Sequence, residues 1–291
     1  MTKFSCGIKK ALFAYGKRIT EYEWDDIVEL ENHILMIKNC SRTMEISVFD
    51  KKELKIITTF SDVIKYKVKW NKIIILSKIG YDEIFKLSGE LISDDIKKFS
   101  ISSKANIISI THYDDKVSLY NADKDEMLSA KFDAVKFINN GITVTIGDKK
   151  GFYSYDFKLV IPIQYLAIYF VNGYFRLQKR ISTGEAFYGL SSMDGDTIIP
   201  IEYEEVALKK EHVILKKDSK YGLCDYSGKI ILPTMYDEII SCYDKKLVQC
   251  KSYGQTTYYI VDLGKFFTKE CIKIESKGYS YYLDGKWYQH K

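Results

Sequence analysis

The chain holds only three prolines, Pro162, Pro200 and Pro233, and each stands 11 residues after a glycine and three before a tyrosine. The intervals Gly151 to Tyr165, Gly189 to Tyr203 and Gly222 to Tyr236 are each 14 residues long. An interval fixed by three scarce residue types marks a repeated unit, and a repeat has to be recognised before any local structure is assigned. The frame extends in both directions, through Lys10 to Trp24, Ile46 to Phe60, Glu83 to Lys97, Ser118 to Phe132 and Thr257 to Cys271. The turn Ser88-Gly89-Glu90 survives at Glu83 to Lys97, but the aromatic anchor there is lost or displaced to Phe99. Thr257 to Cys271 carries a one-residue slip. Anchors at 24, 60, 97, 132, 165, 203, 236 and 271 give a period near 35 residues. The polar stretch Arg180 to Glu185 accounts for the longest step as a loop insertion.

Each step carries about four short strand signals separated by turn residues. Between 203 and 236 they are Glu205 to Lys209, His212 to Lys216, Tyr221 to Asp225 and Lys229 to Pro233. The pattern predicts an all-β repeat protein of about eight four-stranded units, built as a closed β-propeller or as an open β-solenoid of the same units. Residues 1–291 read as a single β-repeat domain. Two strands before Trp24 (Ala11 to Tyr15, Arg18 to Tyr22) and two after Cys271 (Ile272 to Glu275, Tyr279 to Leu283) share the closing unit, with Lys286 to His290 as a further candidate. An irregular Glu83 to Lys97 region would reduce eight units to seven. Gly16, Gly89, Gly195, Gly228 and Gly264 are expected to supply positive φ in tight turns. The prolines, lacking an N–H, belong at a strand end or edge. The anchors pack between sheets, and the acidic residue after them (Asp25, Asp133, Glu204, Asp237) bonds turn backbone.

Tyr221-Gly222, a short strand, Gly228-Lys229, an apolar pair, Pro233 and then Tyr236-Asp237 resemble the WG-type (KWG) repeat of bacterial proteins. Tyr188 to Val206 matches as closely, and Gly151 to Ile168 matches well. Tyr-Gly stands here where that family usually has Trp-Gly. The resemblance covers about a third of the chain. It implies a repetitive β scaffold used for interaction, and it implies no reaction.

The apolar content of 46% suffices for a core, and no run of ~18 apolar residues predicts a membrane span. The first 17 residues lack a signal-peptide pattern, which places the protein in the cytoplasm. Six cysteines without a C-x-x-C pair read as reduced, buried thiols. Net charge is +5, and only Arg18, Arg42, Arg176 and Arg180 are arginines, a weak base for phosphate recognition. The four histidines show no zinc spacing, and His112 is expected to pair with Asp114 or Asp115. The sequence thus offers no catalytic, cofactor-binding or metal-ligating set. What stands out is a density of Tyr and Trp near the C-terminal end. Tyr253, Tyr258, Tyr281, Tyr282 and Trp287, with Lys277 and Lys286, form the candidate partner-binding set, since Tyr and Trp are favoured at binding hot spots. The reading is a non-enzymatic scaffold for another protein, an accessory or inhibitory subunit among its forms. The alternative is a nucleic-acid-binding module that uses Lys patches and Tyr stacking.

Overall fold

The computed structural model describes residues 2–6, 9–14, 16–180, 184–242, 246–275 and 278–290, and these are almost wholly β-strand and turn. The insertion expected at Arg180 to Glu185 falls partly on 181–183, outside the described residues. The chain divides into two compact units, Met1–Asn140 and Gly141–Lys291. No described helix is long and apolar enough to cross a membrane.

The first unit opens with Thr2–Cys6, Lys9–Ala14 and Lys17–Arg18 in one antiparallel sheet. Three four-stranded sheets follow in strict sequence order. The first of them runs Asp26–Glu29, His33–Cys40, Thr43–Asp50 and Lys55–Val63, and the next two span residues 65–93 and 98–127. The second unit repeats the plan. After Gly141–Ile146, Lys149–Tyr153 and Leu159–Tyr165 come the four-stranded sheets of residues 167–203, 205–236 and 238–267. The last sheet is Ile272–Glu275, Gly278–Leu283 and Lys286–His290. The strand Thr2–Cys6, only five residues long, was not anticipated from sequence, and the strand expected from Arg18 to Tyr22 is confined to Lys17–Arg18. The N-terminal segment forms three strands where two were expected, and in the C-terminal segment the candidate Lys286 to His290 is the third strand.

The 14-residue interval is a hairpin with a bulge. Leu223 pairs with Leu232 and Tyr221 with Tyr236, so Pro233, Thr234 and Met235 together oppose the single Gly222. Gly189 and Gly151 face Pro200-Ile201-Glu202 and Pro162-Ile163-Gln164 in the same register. Each proline therefore sits within the outermost strand of its sheet rather than at its end. There its missing N–H costs no ladder bond, as bulges on edge strands permit. The bulge drives the residue after the proline over the glycine. A Cβ on Gly222 would lie 2.8 Å from Thr234 Cγ2 and 2.9 Å from the Leu232 carbonyl oxygen. Only glycine fits, which is the physical content of the repeated Tyr-Gly pair.

At the other end of the hairpin, Gly228 has φ 85° and donates its N–H to the Asp225 carbonyl at 3.1 Å, while Asp225 Oδ1 accepts from Ser227 and Lys229. This is a turn closed by a left-handed residue, for which glycine carries no steric cost. A Cβ on Gly228 would also meet the Ile198 carbonyl of the preceding sheet at 2.3 Å, so the turn glycine is a packing requirement as well. Phe157 occupies this position in its own hairpin at φ 59°.

The core lies between successive sheets. Leu190 and Ile199 of one sheet pack on Val206, Val213, Leu215 and Cys224 of the next, and Ile214, Leu223 and Leu232 pack on Ile239, Val248 and Cys250 beyond. Each such Leu, Ile or Val contributes about 1.5–3 kcal/mol relative to exposure. Trp24, Phe60, Phe132 and Tyr203 are buried anchors, while Tyr165 and Tyr236 are half-buried. In the degenerate repeat the anchor moves to Ile96, which joins Ile73, Ile84 and Ile110 in the core, and Phe99 packs only at its margin.

Candidate functional site

Every sheet has two ends, and the sequence builds them differently. At one end lie the turns between second and third strands, together with the connections between sheets. Where an acid follows the anchor, at Asp25, Asp133, Glu204 and Asp237, it staples this end. Asp237 Oδ1 accepts from Lys220 Nζ of the preceding sheet at 2.5 Å, and its Oδ2 accepts from the Tyr253 N–H of the following sheet at 2.8 Å. Asp25 repeats the device with Lys9 at 2.7 Å and the Asn39 N–H at 2.8 Å. Glu204 takes the Ser219 N–H at 2.9 Å, and Asp133 takes Lys116 at 2.5 Å. The Lys220 ammonium and the Tyr253 amide hold the Asp237 carboxyl below the usual carboxylate range, and Lys9 and the Asn39 amide do the same for Asp25. These acids are therefore structural, as expected from their repetition.

Tyr253 sits on the turn that Asp237 holds. Ser252 pairs with Gln255, leaving a two-residue loop in which Tyr253 has φ 49° and Gly254 φ 77°. Such loops favour Asn-Gly, and a bulky side chain at φ > 0 is an outlier. Tyr253 is nonetheless 93% exposed. The same end of the last sheet carries Tyr282 and Trp287, which face each other across a second two-residue turn with ring centroids 5.5 Å apart. Both are exposed, and Lys273 Nζ lies 4.2 Å above the Trp287 ring. Lys286 is exposed beside them.

The remaining predicted residues are placed otherwise. Tyr258 is buried with Leu247, Phe267 and Tyr279, so it belongs to the core and not to a surface. Tyr281 packs half-buried on the same cluster and stacks on Tyr288 at 5.4 Å. Lys277 lies outside the described residues.

The opposite end of the second unit was not anticipated from sequence. A cleft of about 980 Å³ opens there among turns of three consecutive sheets. Tyr174 and Tyr226 stack along one wall at 4.9 Å, the Tyr226 hydroxyl donates to the Lys209 carbonyl, and Lys209, Lys210 and Cys242 complete the rim. These residues are spread over 69 positions of sequence, from 174 to 242, so no local motif announces them.

The histidines are structural contacts. His212 is buried with Nε2 2.8 Å from Ser241 Oγ of the next sheet. His33 Nε2 lies 3.7 Å from Asp50. His112 pairs with neither Asp114 nor Asp115. Its Nδ1 meets the Asp95 carbonyl oxygen and its Nε2 meets Ser118 Oγ, each at 2.8 Å. Ser118 itself is buried, at 4% exposure. His290 packs on Tyr279 at 5.0 Å. Among the described residues no group of three or more His, Cys, Asp and Glu is placed to hold a metal ion. Cys224 and Cys250 are buried and Cys242 and Cys271 partly so, but Cys40 is exposed near the end of its strand.

Residues 221–245 match the family model of the WG containing repeat. No curated protein matches the chain. Among solved structures, the chain is similar to Kluyveromyces lactis Hsv2p at 13% identity, with 69% of this chain and 75% of that one covered and a TM-score of 0.26. The Neurospora crassa Pan2 WD40 domain matches at 12% identity over 80% and 86%, with a TM-score of 0.25. The uncharacterized protein lmo1340 of Listeria monocytogenes EGD-e matches at 11% over 84% and 94%, with a TM-score of 0.26. TM-scores this low do not establish a shared topology.

Proposed function

We propose that the chain is a non-catalytic β-repeat scaffold that binds another protein through the turn end of its last two sheets. The observation that carries this reading is Tyr253. A left-handed backbone costs a side-chain-bearing residue roughly 1–2 kcal/mol, and at 93% exposure no packing within the chain offsets it. Strain retained without internal gain is a feature of binding sites, and an aromatic ring presented on a rigid turn suits a protein hot spot. Tyr282 and Trp287 stand at the same end of the adjacent sheet and enlarge the surface. Protein is favoured over nucleic acid because Lys273 already covers a face of Trp287, which a stacking base would have to displace.

The test is affinity purification from the native host with tagged wild-type chain and with a Y253N/W287A variant, each with and without nuclease. A stoichiometric protein that survives nuclease and is lost from the variant supports the reading. Recovery of nucleic acid alone, or equal retention by the variant, overturns it. The finer architecture is part of the same proposal. The repeat frame from Lys10 to Cys271 supports one closed, propeller-like domain over 1–291, and small-angle scattering would separate a closed ring from an open solenoid.

A further inference from the structure

The cleft at the opposite end of the second unit shares no residue with the surface just proposed, and the repeat supplies its own internal comparison. The corresponding junction in the first unit is formed where Asn71 (φ 53°), at a first-to-second-strand turn, meets the third-to-fourth-strand turn of the next sheet at Ala122. In the second unit Asn172 (φ 52°) and Tyr226 hold these positions. The first-unit cavity measures about 370 Å³ and is electrostatically complete. Lys72 pairs with Asp123 at 2.6 Å, and Lys86 pairs with Asp125 and Glu90 at 2.7 Å each.

The second-unit cleft is more than twice as large, and its charges are not closed in this way. Among the described residues no carboxylate lies within 4.0 Å of the Lys209 ammonium, and Lys210 has only its neighbour Glu211 at 3.8 Å. Tyr226 pins the lysine-bearing turn through the Lys209 carbonyl, and burial pushes the Tyr226 phenol up, so it stays a neutral donor. The cleft thus combines an aromatic wall, apolar Leu208 and a cationic rim, on backbone fixed by turns. Its volume of about 980 Å³ is in the range of small-ligand pockets.

From this geometry we infer that the cleft binds an acidic peptide segment of a protein. An Asp or Glu carboxylate would meet Lys209 and Lys210, and an adjacent aromatic or aliphatic side chain would lie against Tyr174, Tyr226 and Leu208. A segment of this kind supplies the counter-charge that Asp123, Asp125 and Glu90 supply internally in the first unit. A polyanion such as nucleic acid is disfavoured, because two lysines with a glutamate beside them neutralise few phosphates.

Selection of displayed random 12-residue peptides on the full chain, with counter-selection on K209E/K210E, tests the inference. Enriched peptides are expected to pair Asp or Glu with an aromatic or aliphatic residue. Their Kd should rise about tenfold or more in K209E/K210E, as loss of charge-assisted contacts implies. It should not change in K65E/K67E, a charge reversal on exposed lysines of the first unit, nor in Y253N, which separates this site from the proposed partner surface. Thermal melting confirms that each variant folds. The inference is overturned by no enrichment over K209E/K210E, by enriched peptides without acidic residues, or by equal losses in both charge reversals. Competition by single-stranded oligo-dT that depends on Lys209 and Lys210 would assign the cleft to nucleic acid instead, and would also overturn it.

Discussion

Replacing the repeat glycine by alanine isolates the bulge that defines the fold. At Gly189 the new Cβ would lie 2.6 Å from Ile201 Cγ1, 2.7 Å from the Ile199 carbonyl oxygen and 3.0 Å from the Ile201 nitrogen. At Gly222 the distances are 2.8 Å to Thr234 Cγ2 and 2.9 Å to both the Leu232 oxygen and the Thr234 nitrogen. A side chain can rotate away, but the two backbone atoms belong to the bulge and cannot yield without loosening it. Overpacking of this kind costs about 1–3 kcal/mol, which in a protein of this size lowers the melting temperature by roughly 2–12 °C. T234A should recover only part of the loss in G222A, since the carbonyl contact remains. G147A is the control. Gly147 has φ 60° and nothing within 4 Å, so alanine there meets backbone strain alone, roughly 1–2 kcal/mol, with no clash. Thermal and urea melts of G189A, G222A, G222A/T234A and G147A decide the matter. Melting of G189A and G222A within a degree of wild type, or full recovery by T234A, would refute the steric account.

Tyr253→Asn is expected to stabilise the isolated chain by up to about 1 kcal/mol, because asparagine tolerates the left-handed turn and no packing is lost; a lower melting temperature would contradict this. Asp237→Ala should destabilise more than Asp237→Asn, which keeps an acceptor for the Tyr253 N–H. Because the folded Asp237 carboxyl is held below its ordinary value of 3.8, its contribution is complete above that pH and is lost as pH falls through the lower folded value. The gap in melting temperature between wild type and Asp237→Asn should therefore narrow in acid, and a gap that widens would reverse the assignment. Cys224 and Cys250, whose thiols burial pushes up to about 12, should resist iodoacetamide at pH 8 in the folded protein while exposed Cys40 reacts, as read by mass spectrometry of the digested chain.

The repeat frame was legible because its residues answer to backbone geometry. A glycine under a bulge, a proline on an edge strand and a left-handed turn glycine are required at fixed offsets, so their spacing survives variation elsewhere. Phe157 shows the limit, since it meets the left-handed requirement without being glycine. Burial was less legible, and Tyr258 and Tyr259 show why. They are neighbours on the strand Gln255–Ile260, which is covered on both faces by adjoining sheets, so both are buried and the two-residue alternation that separates inside from outside disappears. Tyr253, five residues earlier in a similar context, is the most exposed of the large aromatic residues named here because it occupies a turn. The His112 contact with Asp95 and the acidic-segment cleft depend on meetings between sheets. No local sequence pattern encodes these.

The proline bulges have a consequence for how such a chain avoids error. Neighbouring repeats with near-identical hairpins invite strand exchange, in which the outer strand of one sheet recruits a strand from another sheet or another molecule. In the second unit the outer strands Leu159–Tyr165, Thr197–Tyr203 and Ile230–Tyr236 each carry a proline without an amide hydrogen and a three-against-one bulge. A fifth strand would find a missing donor and a broken pleat at its midpoint. In these three sheets the residue that marks the repeat thereby closes the outer edge to a further strand, and it lets similar sequences lie side by side without trading partners.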